Sequence, residues 1–272
     1  MKRCWPFLFL LMSCVQEAVP LEDIEEPAPS DFEDRRKFEQ LREDSLTALR
    51  LKAIGLVDIH RIDPRILVDL RYAGNTNFMH HQLYDTLRQL FVQREVAERL
   101  LKAQDYLDSL RPGFRLLIYD GVRPRQVQAE MWKALDSIPV LNRGKFVSNP
   151  ALGSVHNFGA AVDLTIVDQK GNPLDMGAGY DDFRPIAFPS REAYFLKTGE
   201  LSRSQVENRK LLRQVMRSQH FSNIPSEWWH FNAFSRIVAA QKFEMLETES
   251  GGSRWFRIVP TAENSEDSLV TE

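Results

Sequence analysis

The segment around which this chain is organised reads Ser154-Val155-His156-Asn157-Phe158-Gly159-Ala160-Ala161-Val162-Asp163. Its last residues begin the β-rich run Ala161–Val167, which predicts a buried strand. His156 and Asp163 are seven residues apart, an odd spacing that would place them on opposite faces of an uninterrupted strand. Gly159 and the alanines after it allow a sharp bend, so we expect His156 on a loop that faces Asp163 on the strand.

A second segment, about seventy residues further on, reads Glu227-Trp228-Trp229-His230. With His156 and Asp163 it offers two imidazoles and one carboxylate, and three protein ligands leave the fourth position of a zinc ion open for water. Glu227 is costly to bury beside two indole rings unless it has a partner, and such a water needs a proton acceptor. Each segment alone also has an ordinary interpretation, namely a loop histidine beside a strand end and a strand whose tryptophans fill the core.

The rest of the hydrophobic pattern predicts one α+β domain with a mostly antiparallel central sheet flanked by helices. Strands are predicted at Ile66–Leu70, Phe114–Tyr119, Ala161–Val167 and Trp228–Asn232. Helices are predicted at Phe32–Lys52, Phe91–Leu110, Arg125–Leu135 and from the cap Ser202 to Ser218. Residues 136–153 have the composition of a long loop, and Arg254–Val259 are expected to add an edge strand.

Composition limits the class of protein. The chain has 272 residues, 43% of them apolar and 27% charged, as in ordinary soluble enzymes. Its formal charge of -3 gives no reason to expect nucleic acid as a partner. Both cysteines, Cys4 and Cys14, lie near the N-terminus, so the rest of the chain offers no thiolate to a metal. Any metal site must therefore use nitrogen and oxygen ligands.

The N-terminus has the features of a bacterial export signal. Met1-Lys2-Arg3 precedes a short apolar run, and Leu11-Met12-Ser13-Cys14 resembles a lipobox, in which the cysteine is lipidated and becomes the first residue. We therefore predict a cleaved lipoprotein signal over residues 1–13, a lipid anchor at Cys14, and a location in the bacterial cell envelope rather than the cytoplasm. An ordinary secretory signal, a misassigned start site and a segment of the protein core are the alternatives.

The predicted signal is followed by three regions. Residues 14–55 combine a tether with the N-terminal helix, since residues 15–34 contain eight acidic side chains and three prolines. Residues 56–245 are predicted to form the catalytic domain. Residues 246–272, rich in serine, glycine and glutamate, are predicted to be a C-terminal tail.

Taken together, the two metal-binding segments match S-x-H-x-x-G-x-A-x-D followed by E-x-W-H. This pattern resembles the zinc peptidases that cleave D-Ala-D-Ala, whose fold is shared with hedgehog-type domains. The resemblance implies one zinc ion per chain, held by His156, Asp163 and His230. It also implies that Glu227 is the general base and later the proton donor.

Further segments make the chain similar to the VanX-type dipeptidases of that group, over roughly residues 58–235. Tyr119–Pro124 resembles their D-G-Y-R-P segment, although Val122 replaces the aromatic residue. Val68–Ala73 with Asn77-Phe78 resembles D-x-R-Y-A…N-F. Met176-Gly177 with Tyr180–Phe183 resembles M-G…F-D-x-F. The segment Glu227–His230 contains two adjacent tryptophans, as the corresponding segment of these dipeptidases does. Asn157-Phe158 replaces the more polar residues expected after the histidine.

This similarity implies roles for four more side chains. Arg123 would stabilise the oxyanion of the tetrahedral intermediate, with a solvated arginine or a pair with Asp120 as the alternative. Tyr72 and Asp181 would bind the free ammonium of a dipeptide, and Ser154 would help to bind its carboxylate. Tyr72 has the alternative of a half-buried strand residue, and Asp182 is an alternative to Asp181. We expect surface or loop positions for the remaining histidines, His60, His80, His81 and His220, with His80 and His81 nearest the site.

The expected function is zinc-dependent hydrolysis of D-Ala-D-Ala to two D-Ala, in the metabolism of peptidoglycan. In the cell envelope such an enzyme would act on dipeptide from wall turnover or from the surroundings. A D,D-carboxypeptidase that trims stem peptides is the alternative within the same group. An envelope lipoprotein that binds muropeptides without catalysis is the alternative of another class.

Overall fold

The computed structural model describes residues 32–256 of the chain. The predicted signal, the lipidation site Cys14 and the acidic segment as far as Asp31 lie outside these residues. Two units are distinguished along the chain, Met1–Glu39 and Gln40–Glu272. The described part of the first unit is helical. None of the helices in residues 32–256 is both long and apolar enough to cross a membrane.

The described residues form a mixed α and β structure. The helices are α1 (Phe32–Ala53), α2 (Ile59–Ile62), α3 (Arg94–Leu110), α4 (Arg125–Ala134), α5 (Val140–Arg143), α6 (Glu192–Thr198), α7 (Arg203–Arg217) and α8 (Arg236–Lys242). The strands are β1 (Leu56–Asp58), β2 (Leu67–Val68), β3 (Phe91–Gln93), β4 (Arg115–Asp120), β5 (Ala161–Val167), β6 (Ser222–Asn223), β7 (His230–Asn232), β8 (Met245–Leu246) and β9 (Ser253–Arg254). Short 3₁₀ turns cover Arg71–Ala73, Val155–Phe158, Pro185–Ala187 and Pro189–Arg191.

The central sheet has five strands in the order β2-β4-β5-β7-β6. Only β2 and β4 are parallel, and the other neighbours are antiparallel, which confirms the predicted fold class. The register places Asp163 of β5 opposite His230 of β7 on one side and opposite Asp120 of β4 on the other. An irregularity of β4 between Ile118 and Asp120 produces that second pairing.

One face of β5 packs against helices α3 and α7. Val162, Leu164 and Ile166 are fully buried in the cluster that contains the apolar faces of those two helices. Burying side chains of this size contributes roughly 1.5 to 3 kcal/mol each. Because side chains alternate along a strand, fixing these three residues turns Asp163 to the opposite face of the sheet.

Several predicted elements differ in extent from those of the structure. The helical spacing predicts that the helix begins at Phe91, but Phe91–Gln93 forms strand β3, which pairs with β1. Ile66–Leu70 is reduced to the two-residue strand β2, and Trp228 and Trp229 precede strand β7 instead of belonging to it. The predicted loop 136–153 contains the short helix α5. Ser202 does cap α7, through a reciprocal pair of hydrogen bonds with Gln205.

The predicted edge strand Arg254–Val259 is only partly covered by the described residues, and of its first three residues only Arg254 is in a strand. Only Ser253 and Arg254 are in a strand, and this strand pairs with β8 in a separate hairpin, not with the central sheet. Residues 257–259 lie outside the described residues.

The β8–β9 hairpin is attached to the rest of the domain by Glu249. Its carboxylate accepts backbone N–H bonds from Asp85, Thr86 and Leu87, at 2.8, 2.7 and 2.7 Å. The loop that it holds also supplies Tyr84, whose backbone N–H donates to the carbonyl oxygen of Tyr72. The hairpin therefore fixes a loop that is hydrogen-bonded to Tyr72, a predicted site residue.

Candidate metal and substrate site

The predicted ligands His156, Asp163 and His230 come together at one point. His156 lies in a 3₁₀ turn that Ser154 caps, and Asp163 and His230 are cross-strand neighbours on β5 and β7. Gly159 ends the turn with a left-handed φ of 63°, and a Cβ at this position would lie 2.6 Å from the Leu56 side chain. The bend expected between His156 and Asp163 therefore depends on glycine.

The three ligand atoms face one another closely. Asp163 Oδ1 lies 3.3 Å from Nε2 of His156 and 3.0 Å from Nδ1 of His230. The two imidazole nitrogens are 3.1 Å apart. Tetrahedral ligands of a zinc ion at about 2.0 to 2.1 Å would be separated by about 3.3 Å. The spacing of the three atoms thus fits a single small metal ion between them.

The outer nitrogens of both imidazoles are held by oxygen atoms. Nδ1 of His156 donates to the carbonyl oxygen of Gly121 at 2.7 Å, and Nε2 of His230 donates to Oδ1 of Asn232 at 2.9 Å. In a neutral imidazole, one nitrogen carries the proton and the other is left with a lone pair. Two lone pairs and a carboxylate oxygen therefore converge in a buried space, a donor set that fits a metal cation.

The second oxygen of Asp163 is held by two donors. Oδ2 accepts hydrogen bonds from Nη2 of Arg123 at 3.2 Å and from the hydroxyl of Tyr180 at 3.1 Å. Burial acts to raise the pKa of Asp163, but the imidazoles of His156 and His230 hold this pKa well below its usual value. Asp163 is thus an ionised carboxylate with one oxygen turned to the histidines and the other turned away.

Arg123 is held firmly beside the metal cluster. Its Nε donates to Asp120 at 2.8 Å, its Nη1 donates to Gln128 at 3.0 Å, and its guanidinium lies 4.9 Å from the centre of the Tyr72 ring. Asp120 in turn accepts a 2.6 Å hydrogen bond from the hydroxyl of Tyr84. From sequence, a pair with Asp120 is an alternative to a role of Arg123 in the site. The structure has this pair and also brings the guanidinium to Asp163.

Glu227 lies at the edge of the cluster. Its Oε2 is 3.9 Å from Nδ1 of His230, and 18% of its side chain is exposed. Burial raises the pKa of Glu227 to about 7. The two tryptophans that follow are buried, and the indole N–H of Trp228 donates to the carbonyl oxygen of Ala178. They fix the backbone that carries Glu227 while leaving its carboxylate close to the ligand atoms.

Asp181 and Tyr72 are in direct contact. The Tyr72 hydroxyl donates to Oδ1 of Asp181 at 3.1 Å, and the backbone N–H of Phe78 donates to Oδ2 at 3.3 Å. Burial and then the charge of Asp163 raise the pKa of Asp181 to about 8. Asp182, the alternative considered from sequence, forms an ion pair with Arg184 at 2.6 Å instead. Within residues 32–256, Asp181 forms no ion pair with a cationic side chain, unlike Asp182.

Ser154 has a local structural contact. Its Oγ accepts the backbone N–H of His156 at 3.3 Å, and its own N–H donates to the side chain of Asn157. The Nδ2 atom of the same side-chain amide donates to the carbonyl oxygen of Arg123. The predicted contact of Ser154 with a substrate carboxylate stays a prediction. The remaining histidines are exposed, as expected: His60, His80, His81 and His220.

Sequence reasoning missed several side chains that surround the cluster. Tyr180 occupies the first position of the segment matched to F-D-x-F, where the pattern has phenylalanine. The added hydroxyl is a difference that the sequence alone reveals. Asn232 is two residues after His230, so both side chains lie on the same face of a strand. Gln128 and Tyr84 had no comparable signal, because their contacts with Arg123 and Asp120 depend on the packing of separate elements.

The chain is similar to known dipeptidases over most of its length. A family model described as D-Ala-D-Ala dipeptidase matches residues 52–248. D-alanyl-D-alanine dipeptidase from Escherichia coli K12 is 34% identical over 176 residues, which cover 65% of this chain and 83% of the relative. The protein of that name from Enterococcus faecium is 30% identical over 193 residues, covering 65% and 91%. The one from Synechocystis is 27% identical over 173 residues, covering 54% and 70%.

The family model spans every residue of the metal cluster and of the Arg123 and Asp181 contacts. The segments that carried the resemblance in the sequence are those that the fold brings to one place. This chain belongs to the D-Ala-D-Ala dipeptidase family of metallopeptidases.

Proposed function

We propose that this protein hydrolyses free D-Ala-D-Ala to two molecules of D-Ala, with zinc as its metal. The observation that carries the proposal is the convergence of His156, Asp163 and His230 with the carboxylate of Glu227 alongside. Two nitrogen ligands, one oxygen ligand and a neighbouring proton acceptor are the arrangement of catalytic zinc sites. Bound there, zinc would supply a Lewis acid that polarises the scissile carbonyl and makes a water more acidic.

Glu227 is the general base in this proposal. A base is most effective when its pKa lies near the working pH, and burial brings the pKa of Glu227 to about 7. Its carboxylate takes a proton from the attacking water and later gives that proton to the leaving amine nitrogen. The same group serves both steps because it stays within reach of the reacting atoms.

Arg123 stabilises the negative charge that develops on the carbonyl oxygen. Contacts with Asp120, Gln128 and the Tyr72 ring fix the guanidinium before the substrate arrives. A donor that needs no reorganisation can contribute about 3 to 4 kcal/mol of transition-state stabilisation. Its position next to Asp163 supports this role.

Asp181 and Tyr72 select a dipeptide by binding its free ammonium. An ammonium would give Asp181 a cationic partner that none of the described residues supplies through an ion pair, and the Tyr72 hydroxyl already donates to Oδ1. In a longer peptide the same position holds a neutral amide, which offers no positive charge to favour the ionised form of Asp181. Ser154 would contact the substrate carboxylate at the other end.

The test compares three substrates with zinc-loaded protein: D-Ala-D-Ala, N-acetyl-D-Ala-D-Ala, and a stem pentapeptide that ends in D-Ala-D-Ala. Released D-Ala is measured. We expect fast release from the free dipeptide alone, because N-acetylation and a longer peptide both replace the ammonium by a neutral amide. A preference for the pentapeptide would favour the carboxypeptidase alternative and remove Asp181 from the site.

The matched variant is Glu227→Gln, which keeps the size of the side chain but cannot take a proton. It should bind zinc as the unchanged protein does and lose turnover by about 10² to 10⁴-fold. Undiminished turnover in this variant with zinc bound would contradict the mechanism. Absence of turnover in both proteins, together with tight muropeptide binding, would instead support the binding-protein alternative.

We further propose a location in the cell envelope, with a lipid anchor at Cys14. The support is the sequence Met1–Cys14, where a basic start and a short apolar run precede a lipobox-like cysteine. An enzyme outside the inner membrane would act on dipeptide released by wall turnover. Labelled fatty acid should be incorporated by the protein and not by a Cys14→Ala variant, and labelling of neither would contradict the anchor.

A further inference from the structure

Tyr180 is a polar residue beside the metal cluster for which the proposed reaction has no use. Its ring packs against the rings of Tyr119, Trp229 and Tyr72, with centres 5.0, 5.5 and 6.1 Å away. Packing of this kind needs only an aromatic ring. The hydroxyl is the additional feature, and it donates to Oδ2 of Asp163 at 3.1 Å.

We propose that Tyr180 is a positioning residue of the metal centre, whose hydroxyl keeps Asp163 a one-oxygen ligand. The donor on Oδ2 holds the carboxylate so that Oδ1 faces His156 and His230, at 3.3 and 3.0 Å. Without this donor, the carboxylate could rotate and turn both oxygens towards the metal. This inference rests on the metal centre of the proposed function.

Arg123 also donates to Oδ2 of Asp163, but its guanidinium is shared with other partners. Its Nη2 lies 2.7 Å from Asp120 but 3.2 Å from Asp163, so its shorter contact is with Asp120, which is not a predicted metal ligand. In the proposed reaction, Arg123 also has to serve the developing oxyanion. Tyr180 has no such second task, and its hydroxyl can stay on Asp163 throughout.

The position of Tyr180 in the chain gives the contact a second effect. Tyr180 immediately precedes Asp181, which has a left-handed φ of 59° and accepts bonds from Tyr72 and Phe78. One short segment therefore touches the metal ligand with one side chain and forms the proposed ammonium site with the next. The hydroxyl of Tyr180 fixes the loop relative to the metal.

The experiment measures metal binding without substrate. Tyr180→Phe removes the hydroxyl and keeps the ring, and Tyr119→Phe is the matched control, because its ring packs against Tyr180 in the same cluster. Each protein is stripped of metal, and zinc affinity is measured by competition with a chromophoric chelator. Loss of an outer contact to a metal ligand typically weakens metal binding by about 10 to 100-fold. We expect that loss in Tyr180→Phe and an unchanged affinity in Tyr119→Phe.

A second readout reports the coordination of the metal. Loaded with Co²⁺, the unchanged protein and Tyr119→Phe should share one visible absorption spectrum. The bands of Tyr180→Phe should weaken, since intensity falls when coordination number rises. Equal zinc affinity and an identical cobalt spectrum in Tyr180→Phe would overturn this inference alone. Failure of the unchanged protein to bind either metal would overturn the proposed function, and the inference with it.

Discussion

Replacing Asp181 by asparagine should change how the stability of the metal-free protein depends on pH. The pKa of Asp181 is raised from an ordinary value of 3.8 to about 8, by burial first and then by the charge of Asp163. Between these two values, the folded protein keeps the proton and the unfolded chain loses it. Unfolding is then favoured by about 1.4 kcal/mol for each unit of rising pH.

The sign follows from the direction of the shift. Below pH 3.8 the carboxyl group is protonated in both states, so this group makes no difference to stability. As pH rises from there, stability falls, and the loss is complete above pH 8 or so. Asparagine has no proton to lose. The free energy of unfolding of Asp181→Asn, relative to the unchanged protein, should therefore increase by about 2 to 3 kcal/mol between pH 5 and pH 7.

Urea unfolding at pH 5, 6 and 7, with a chelator present, measures this difference. Loss of the hydrogen bonds from Tyr72 and Phe78 adds an offset that does not depend on pH, so the slope isolates the ionisation. Asp182→Asn is the matched control, because the ion pair with Arg184 lowers the pKa of Asp182 and this group titrates below the range. Parallel pH profiles for Asp181→Asn and the unchanged protein would refute the reasoning.

Three other substitutions test the site. Arg123→Lys should retain zinc and lose about 10² to 10³-fold in kcat, and an unchanged kcat would exclude an oxyanion contact. Gly159→Ala should lose about 3 kcal/mol of stability in urea unfolding, because of its φ of 63° and the contact with Leu56. Asn232→Ala should weaken zinc binding by about 10 to 100-fold in chelator competition, and equal affinity would show that His230 needs no outer partner.

The parts of the site that sequence could predict are those set by local rules. The strand Ala161–Val167 is buried along its whole length, as its apolar, β-rich composition predicts, and Gly159 is the evident place for a bend. His156 and Asp163 follow from these two features. His230 required the second segment and the resemblance, since no local rule relates positions 163 and 230.

Other contacts depend on features that alternation does not reveal. The irregularity in β4 between Ile118 and Asp120 places Asp120 opposite Asp163, and Arg123 can then bond to both carboxylates. The strand at Phe91–Gln93 was misjudged because a short apolar run fits either element until its pairing partner is known. Its partner, β1, has only three residues.

The hairpin that holds the loop at residues 85–87 affects the order in which the parts of the site form during synthesis of the chain. All five strands of the central sheet are complete at Asn232, whereas Glu249 is synthesised afterwards. We therefore expect that the metal ligands of a nascent chain can come together before Glu249 fixes the loop at residues 85–87. The capacity to bind metal would then precede the capacity to discriminate among peptides.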